Sequence, residues 1–259
     1  MTNPLAAGSL KGQRVLVTGS SRGIGADTVG YFAEAGASVV INFRNKEARA
    51  RKLADSIQAA GGTAITVGAD LTDPESVTAM FETIRAEYGG LDILVMNASG
   101  GMESGMAADY AMVLNRDAQV NLLTSALPLL GADSRVVFVT SHQAHFVATT
   151  PTMPEYEPVA LSKRAGEDAL RSMIPELDAA GVGFVVVSGD MIEGTITATL
   201  LERSNPGALG ARKEAAGRLY NVSEFAAEIV HAAVEPVPQN SVPEDHTRYV
   251  GDITGFLAE

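Results

Sequence analysis

Six short runs of almost unbroken apolar residues recur along the chain. They are separated by longer stretches in which apolar positions return every three or four residues. The short runs are RVLVT (14–18), SVVINF (38–43), AITVGA (64–69), DILVMN (92–97), RVVFVT (135–140) and VGFVVVS (182–188). Rich in β-branched residues and without polar alternation, they read as strands covered on both faces. The stretches 24–35, 46–60, 74–88, 107–130, 160–180 and 223–235 read as amphipathic helices. A further short run, RYV (248–250), is placed to close the sheet. Strand and helix alternate with short connections, which predicts an α/β fold: a doubly wound parallel sheet of about seven strands, with helices on both faces. Ligands of such sheets bind beyond the carboxyl ends of the strands, so the residues directly after each strand carry the functional information.

Composition narrows the classes. The chain has 259 residues, 46% of them hydrophobic, enough to bury a full core. No Gly/Ser or Pro run, low-complexity tract or fixed-period repeat divides it, so residues 1–259 are expected to form one domain. The opening MTNPLAAGSLKG lacks the basic and long apolar regions of a signal peptide, and the apolar runs stop well short of a membrane span. There is no cysteine, hence no disulfide framework, no thiolate nucleophile and no zinc–sulfur site. A cytoplasmic protein without a metal centre is expected. Nineteen basic against 31 acidic residues give a net charge of −12, which repels nucleic acid and anionic lipid. An anionic ligand must therefore be caught by local groups: helix N-termini, backbone amides and placed arginines.

The first strand is followed by TGSSRGIG (18–25). Gly19, Gly23 and Gly25 open a helix there, letting backbone amides approach a pyrophosphate at the helix N-terminus. The spacing is G-x-x-x-G-x-G, not the commoner dinucleotide fingerprint. Further signals follow the later strands: ADL (69–71), NASGG (97–101), VNLL (120–123) and VTS (139–141). Together, in this order, they resemble the short-chain dehydrogenase/reductase family over nearly the whole chain. The resemblance implies a Rossmann-like fold and a nicotinamide cofactor contacted by Gly19, Ser21, Arg22, Gly23, Ile24 and Gly25. It also implies contacts from Asp70 and Leu71, and from Asn97, Ala98 and Ser99, with Ser99 replacing the family's glycine. It places Asn121 where an asparagine shapes the active-site helix, and Ser141 where the serine holds the substrate oxygen.

Cofactor choice is read at the end of the second strand, where a carboxylate would bind a ribose 2′-hydroxyl and repel a 2′-phosphate. NFRN (42–45) has none. Arg44 with Arg22 could clamp a phosphate, which favours NADP(H) over NAD(H); the plainer reading is two solvated arginines.

The catalytic stretch departs from the pattern. In the family a tyrosine four residues before a lysine exchanges the proton, and the lysine also binds the nicotinamide ribose. Here LSKRAGEDAL supplies Lys163, but the position four earlier is Val159, and the nearest tyrosine, Tyr156, lies seven back. Seven residues are about two helical turns, so Tyr156 shares the face of Lys163 but stands roughly 10 Å away along the axis instead of about 6 Å. Pro158 argues that Tyr156 lies just outside the helix, where a bent chain could swing the phenol toward Ser141. The connection from Ser141 to Lys163 is also about five residues longer than the family's usual one, and it holds His142 and His145. Three readings stay open: Tyr156 as proton donor, a histidine or water in its place, or no redox chemistry at all.

After the sixth strand the family's Pro-Gly is replaced by Ser188-Gly189, expected to wall the nicotinamide. Glu193 falls where a threonine often contacts the carboxamide, and Thr195 is two residues late. The segment 190–220, punctuated by Gly194, Pro206, Gly207 and Gly210, is expected to be a substrate lid whose Met191, Ile192, Ile196, Leu200 and Leu201 suit a partly apolar small molecule. Asp190 and Glu193 could equally be solvated loop charges. The resemblance further implies a homodimer or homotetramer formed through helices 107–130 and 160–180. Two functions compete: an NADP(H)-dependent oxidoreductase interconverting a carbonyl and an alcohol, and an NADP(H)-binding protein without ordinary redox catalysis, either a non-redox enzyme or a regulatory sensor.

Overall fold

The computed structural model describes residues 3–103, 105–238 and 245–257. Its centre is one seven-stranded sheet made of β1 (Arg14–Val17), β2 (Ser38–Phe43), β3 (Thr63–Gly68), β4 (Leu91–Met96), β5 (Leu130–Ser141), β6 (Gly183–Gly189) and β7 (Thr247–Val250). The spatial order is β3-β2-β1-β4-β5-β6-β7, and every pairing is parallel. Strand order reverses between β1 and β4, which opens the ligand crevice at their carboxyl ends.

Successive residues of each strand serve opposite faces. Val15 and Val17 join a core with α1 (Gly23–Glu34), α2 (Glu47–Ala59) and α11 (Val222–Val234), represented by Phe32, Ile57 and Ile229. Leu16 joins the opposite core with α3 (Pro74–Tyr88) and α5 (Ala118–Ala126), represented by Phe81 and Leu122. With both faces covered, neither side of these strands tolerates polar residues, which explains the unbroken apolar runs. Local chemistry fixes the helix ends: Asp73 caps α3 ahead of Pro74, and Asn221 with Glu224 forms a capping box on α11.

Two expected helices are broken. The stretch 107–130 becomes α4 (Tyr110–Met112), a π-helical turn (Val113–Asp117), α5 and a 3₁₀ turn (Leu127–Leu129). The π turn thrusts the Asn115 carbonyl against Gly166, where a Cβ would come within 1.9 Å of that oxygen. The stretch 160–180 instead starts earlier, as α7 (Glu157–Arg171), and resumes after a break as α8 (Ile174–Ala179), whose Pro175 lacks the N–H a continuous helix needs. A short α6 (His142–His145) follows β5, and the segment after β6 folds into α9 (Ile196–Ser204) and α10 (Ala208–Ala216). Among the described residues no helix is long and apolar enough to cross a membrane.

Candidate active site

A cavity of about 700 Å³ lies at the carboxyl ends of β1 to β4. Gly19, Ser21, Arg22, Gly23, Ile24, Gly25, Arg44, Asp70, Leu71, Asn97, Ala98 and Ser99 all line it. The loop after β1 turns on Gly19 (φ 63°) and Gly23 (φ 55°), left-handed conformations that favour glycine. Asn42, unremarked in the sequence, holds this loop: its Oδ1 accepts the Gly19 amide at 3.0 Å, and its own amide donates to Ser20 Oγ at 3.0 Å. Gly25 allows the helix to approach β4, because a Cβ there would meet Asn97 Nδ2 at 2.8 Å and Ser20 Cα at 2.8 Å.

The cavity fits a dinucleotide. No side chain caps the first-turn amides of α1, so they remain donors for an anion at the helix N-terminus. Arg22, Arg44, Lys46 and Arg49 line the cavity against two carboxylates, Asp70 and Glu103. Both acids are engaged locally: Asp70 Oδ1 accepts from the amide and hydroxyl of Thr72, and Glu103 Oε2 accepts from the Gly101 amide. Arg44 donates to the Tyr110 hydroxyl and lies 5.9 Å over that ring. Lys46, Arg49 and Tyr110 were not foreseen; basic residues shortly after the second strand were the available signal.

A second chamber, about 120 Å³, adjoins the first and shares Ile24, Asn97, Ser99 and Thr195 with it. Ser141, Tyr156, Lys163 and Gly189 line it. Ser141 ends β5 and caps α6, its Oγ accepting the Ala144 amide at 3.2 Å. Tyr156 stands just before α7, whose first turn holds Pro158, and its hydroxyl lies 3.1 Å from Ser141 Oγ. Burial pushes the phenol's pKa up, and the Ser141 hydrogen bond offsets this in part, so the group carries its proton. Lys163 is 7% exposed, and desolvation lowers its pKa to about 8 against the opposing field of Glu167.

The long connection after Ser141 explains how Tyr156 returns. Phe146 stacks between Tyr249 (5.7 Å) and Phe256 (5.6 Å), and Thr150 Oγ1 donates to the Phe256 carbonyl at 3.0 Å. Both histidines of this segment are committed to the scaffold. His142 Nδ1 lies 2.8 Å from Ser188 Oγ, and burial pushes the imidazole down to about 4, so it is neutral near pH 7. His145 bridges Glu167 Oε1 (2.8 Å) and the Tyr249 hydroxyl (3.0 Å). Neither lines the chamber. Val159 is buried too, its Cγ2 only 3.2 Å from where a Cβ on Gly101 would sit.

Three expectations shift by position. Asn121 lines neither cavity, and its Nδ2 is buried without a partner among the described residues. Asn115, six residues earlier, lines neither cavity either, but it braces the loop after β4: its Nδ2 donates to the Gly100 carbonyl (2.8 Å) and to Ser162 Oγ (2.9 Å), and its Oδ1 accepts the Gly100 amide (3.3 Å). Its counterpart in the sequence is Gly166, the small residue that the Asn115 carbonyl requires. Ser188 also lines neither cavity, being fully buried against His142, while Gly189 is in the wall. Thr195, despite its offset, lines both chambers, whereas Glu193 turns to Lys213 at 2.8 Å.

Comparison with known proteins agrees with this geometry. Residues 13–205 match the short chain dehydrogenase family. The chain is 28% identical over 258 residues to Short chain dehydrogenase claC of Passalora fulva, covering 97% of this chain and 89% of that protein. Over 170 residues it is 34% identical to a hydroxynaphthalene reductase-like protein of Metarhizium majus, covering 63% of this chain and 62% of the relative. A short chain dehydrogenase from Burkholderia cenocepacia, solved in complex with NADP, superposes with a TM-score of 0.76 at 25% identity, covering 93% of this chain and 97% of that one. The landomycin C-6 ketoreductase LanV, solved with NADP and rabelomycin, superposes with a TM-score of 0.71 at 25% identity, covering 89% and 92%. The family match spans most of the chain, and the sheet order and strand-end residues agree with it: the chain belongs to the short-chain dehydrogenase family of oxidoreductases.

Proposed function

We propose that the protein is an NADP(H)-dependent oxidoreductase that interconverts a carbonyl and an alcohol on a small, partly apolar substrate. The observation that carries this reading is the 3.1 Å approach of the Tyr156 hydroxyl to Ser141 Oγ, in a chamber that also holds Lys163. When bound, the nicotinamide supplies or takes up the hydride. The protein's own groups handle the oxygen and its proton. Two convergent hydroxyls let one substrate oxygen accept from both, Ser141 holding it and Tyr156 giving up its proton as negative charge develops. Lys163, charged below about pH 8, stabilises the phenolate left behind. Tyr156 thus does from the helix entrance what the resemblance assigned to position 159.

The preference for NADP(H) rests on Arg22, Arg44, Lys46 and Arg49 around the end of β2, where a guanidinium held by Tyr110 suits a 2′-phosphate. Met191, Ile192 and Leu201 give the second chamber its apolar walls. Half-exposed Leu161 on α7 suits a helix that pairs with a second copy, in a homodimer or homotetramer.

The test is Tyr156→Phe, followed by NADPH consumption over a carbonyl panel and by NADPH-dependent thermal stabilisation. The expected result is loss of about 10² to 10⁴ in kcat with cofactor binding retained. Full activity in Tyr156→Phe overturns the assignment. A wild-type protein that binds NADPH yet turns over no carbonyl favours the non-redox reading.

A further inference from the structure

Helix α10 (Ala208–Ala216) has no fully buried residue. Its inward face carries Ala208, Arg212 and Ala216 at successive turns, and the two alanines with Leu209 rest on the cluster that contains Tyr156, Val159 and Met191. So thin an apolar contact leaves the helix dependent on the cation at its centre. Arg212 reaches down to Asp190, the residue directly after β6 and part of the second chamber's wall. Its Nε stands 2.9 and 2.8 Å from the two carboxylate oxygens, and its Nη2 lies 2.8 Å from Oδ2. The pair is well buried, with side-chain exposures of 18% for Arg212 and 3% for Asp190. The same guanidinium donates to the Asp252 carbonyl at 3.1 Å and lies 4.9 Å over the Phe256 ring. Phe256 in turn stacks on Phe146, in the segment that returns Tyr156 to Ser141.

We propose that Arg212 and Asp190 are a positioning pair that pins α9–α10 over the substrate chamber, so that their contact sets substrate affinity and leaves the chemical step to Ser141 and Tyr156. This rests on the oxidoreductase reading only for its kinetic arm. The pair neutralises Asp190, the one carboxylate lining the chamber among the described residues, which leaves Lys163 as the charged group there. It also ties α10 to two other segments, the end of β6 and the C-terminal turn, and through the Phe256–Phe146 stack to the loop bearing Tyr156. Of the two loop charges, Asp190 is buried in its pair with Arg212, whereas Glu193 meets Lys213 in a solvent-exposed pair.

The experiment uses the full chain with Arg212→Gln and Arg212→Lys, measuring KM and kcat for a reduced carbonyl, NADPH affinity, and amide hydrogen exchange over 196–216. Arg212→Gln is expected to raise KM by about tenfold or more with kcat changed by less than about threefold, and to speed exchange in α9 and α10. Arg212→Lys keeps the charge but loses the fork, so its KM and exchange fall between the two. NADPH affinity is expected to stay at the wild-type value, because Arg212 lines neither chamber. The double variant Asp190→Asn/Arg212→Gln removes the stranded carboxylate; continued fast exchange in it supports the pin. Wild-type exchange in either Gln-containing variant overturns the proposal. Exchange needs no turnover, so a wild-type protein inactive on every carbonyl would sink the oxidoreductase reading while the pin is still judged.

Discussion

The two halves of the sheet's carboxyl edge behave differently. Along β1 to β4, each residue expected at the cavity lines it, from Gly19 to Ser99. Along β5 and β6 the outcome is mixed: Ser141, Tyr156, Lys163 and Gly189 line the second chamber, whereas Asn121 and Ser188 line neither cavity. The cause is the length of chain between a strand and its functional group. Residues one to eight positions past a strand are placed by that strand and the following helix. Tyr156 lies fifteen residues beyond Ser141, in a segment anchored by Phe146, which stacks on Tyr249 and Phe256, more than a hundred residues later.

The largest expected effect breaks this comparison at its most displaced point. Tyr156→Phe should cost about 10² to 10⁴ in kcat, the range of a lost general acid. Val159→Tyr on that background should not restore it. Val159 is buried, with its Cγ2 3.2 Å from where a Cβ on Gly101 would sit, so the larger ring overpacks the site, at about 1–3 kcal/mol by melting. Recovery of activity in the double variant would show that position 159 still addresses the substrate oxygen.

On the cofactor side, Gly25→Val tests whether the glycine loop is as rigid as its contacts require. The new Cβ meets backbone atoms, Ser20 Cα at 2.8 Å and the Gly19 carbonyl at 2.9 Å, which cannot rotate aside. A stability loss of about 1–3 kcal/mol is expected, with NADPH no longer raising the melting temperature. An unchanged thermal response to NADPH would show that the loop yields.

This contrast also marks what was legible in the sequence. Strand positions, sheet class and the cavity-lining glycines follow from local patterns that need no knowledge of distant residues. The π turn at Asn115 does not follow from local pattern, because it is settled by Gly166 on another helix, whereas the break before α8 goes with the local Pro175. His142 and His145 looked chemically available in a linear reading. They are consumed by Ser188, Glu167 and Tyr249, partners from three other elements.

Lys163 links the halves, since it serves both ribose and phenol in the proposed reaction. Its folded pKa of about 8 lies below the ordinary 10.5, so kcat/KM for reduction should fall as pH rises through about 8, up to tenfold per unit. Stability has the opposite sign. Between about pH 8 and 10.5 the unfolded chain binds a proton the folded chain has released, so this group's contribution to stability rises with pH there. Lys163→Met should erase that rise in melts taken from pH 7.5 to 9.5. A rise that persists in the variant would assign it to another group.

A smaller effect sharpens the cofactor side. Arg44→Gln removes a cation at the end of β2 and its Tyr110 contact. NADPH affinity should fall by about tenfold while NADH affinity holds, as expected for a lost charge-assisted contact to a phosphate. Equal losses for both cofactors would mean that Arg44 shapes the cavity without reading the 2′-phosphate.

The smallest expected effect separates the two asparagines. Asn115→Ala strands the Gly100 amide and carbonyl, which should cost about 1–3 kcal/mol and lower kcat through the loop at 97–101, while Ser162 keeps its bond to the Val159 carbonyl. Asn121→Leu removes a buried amide that has no partner among the described residues, so stability should stay within about 0.5 kcal/mol or rise. The pair is informative because the two side chains lie under two turns apart on one interrupted helix, yet only one faces the strand ends. If Asn121→Leu instead lowers kcat with stability intact, the asparagine that shapes the site is Asn121, and the π turn serves packing alone.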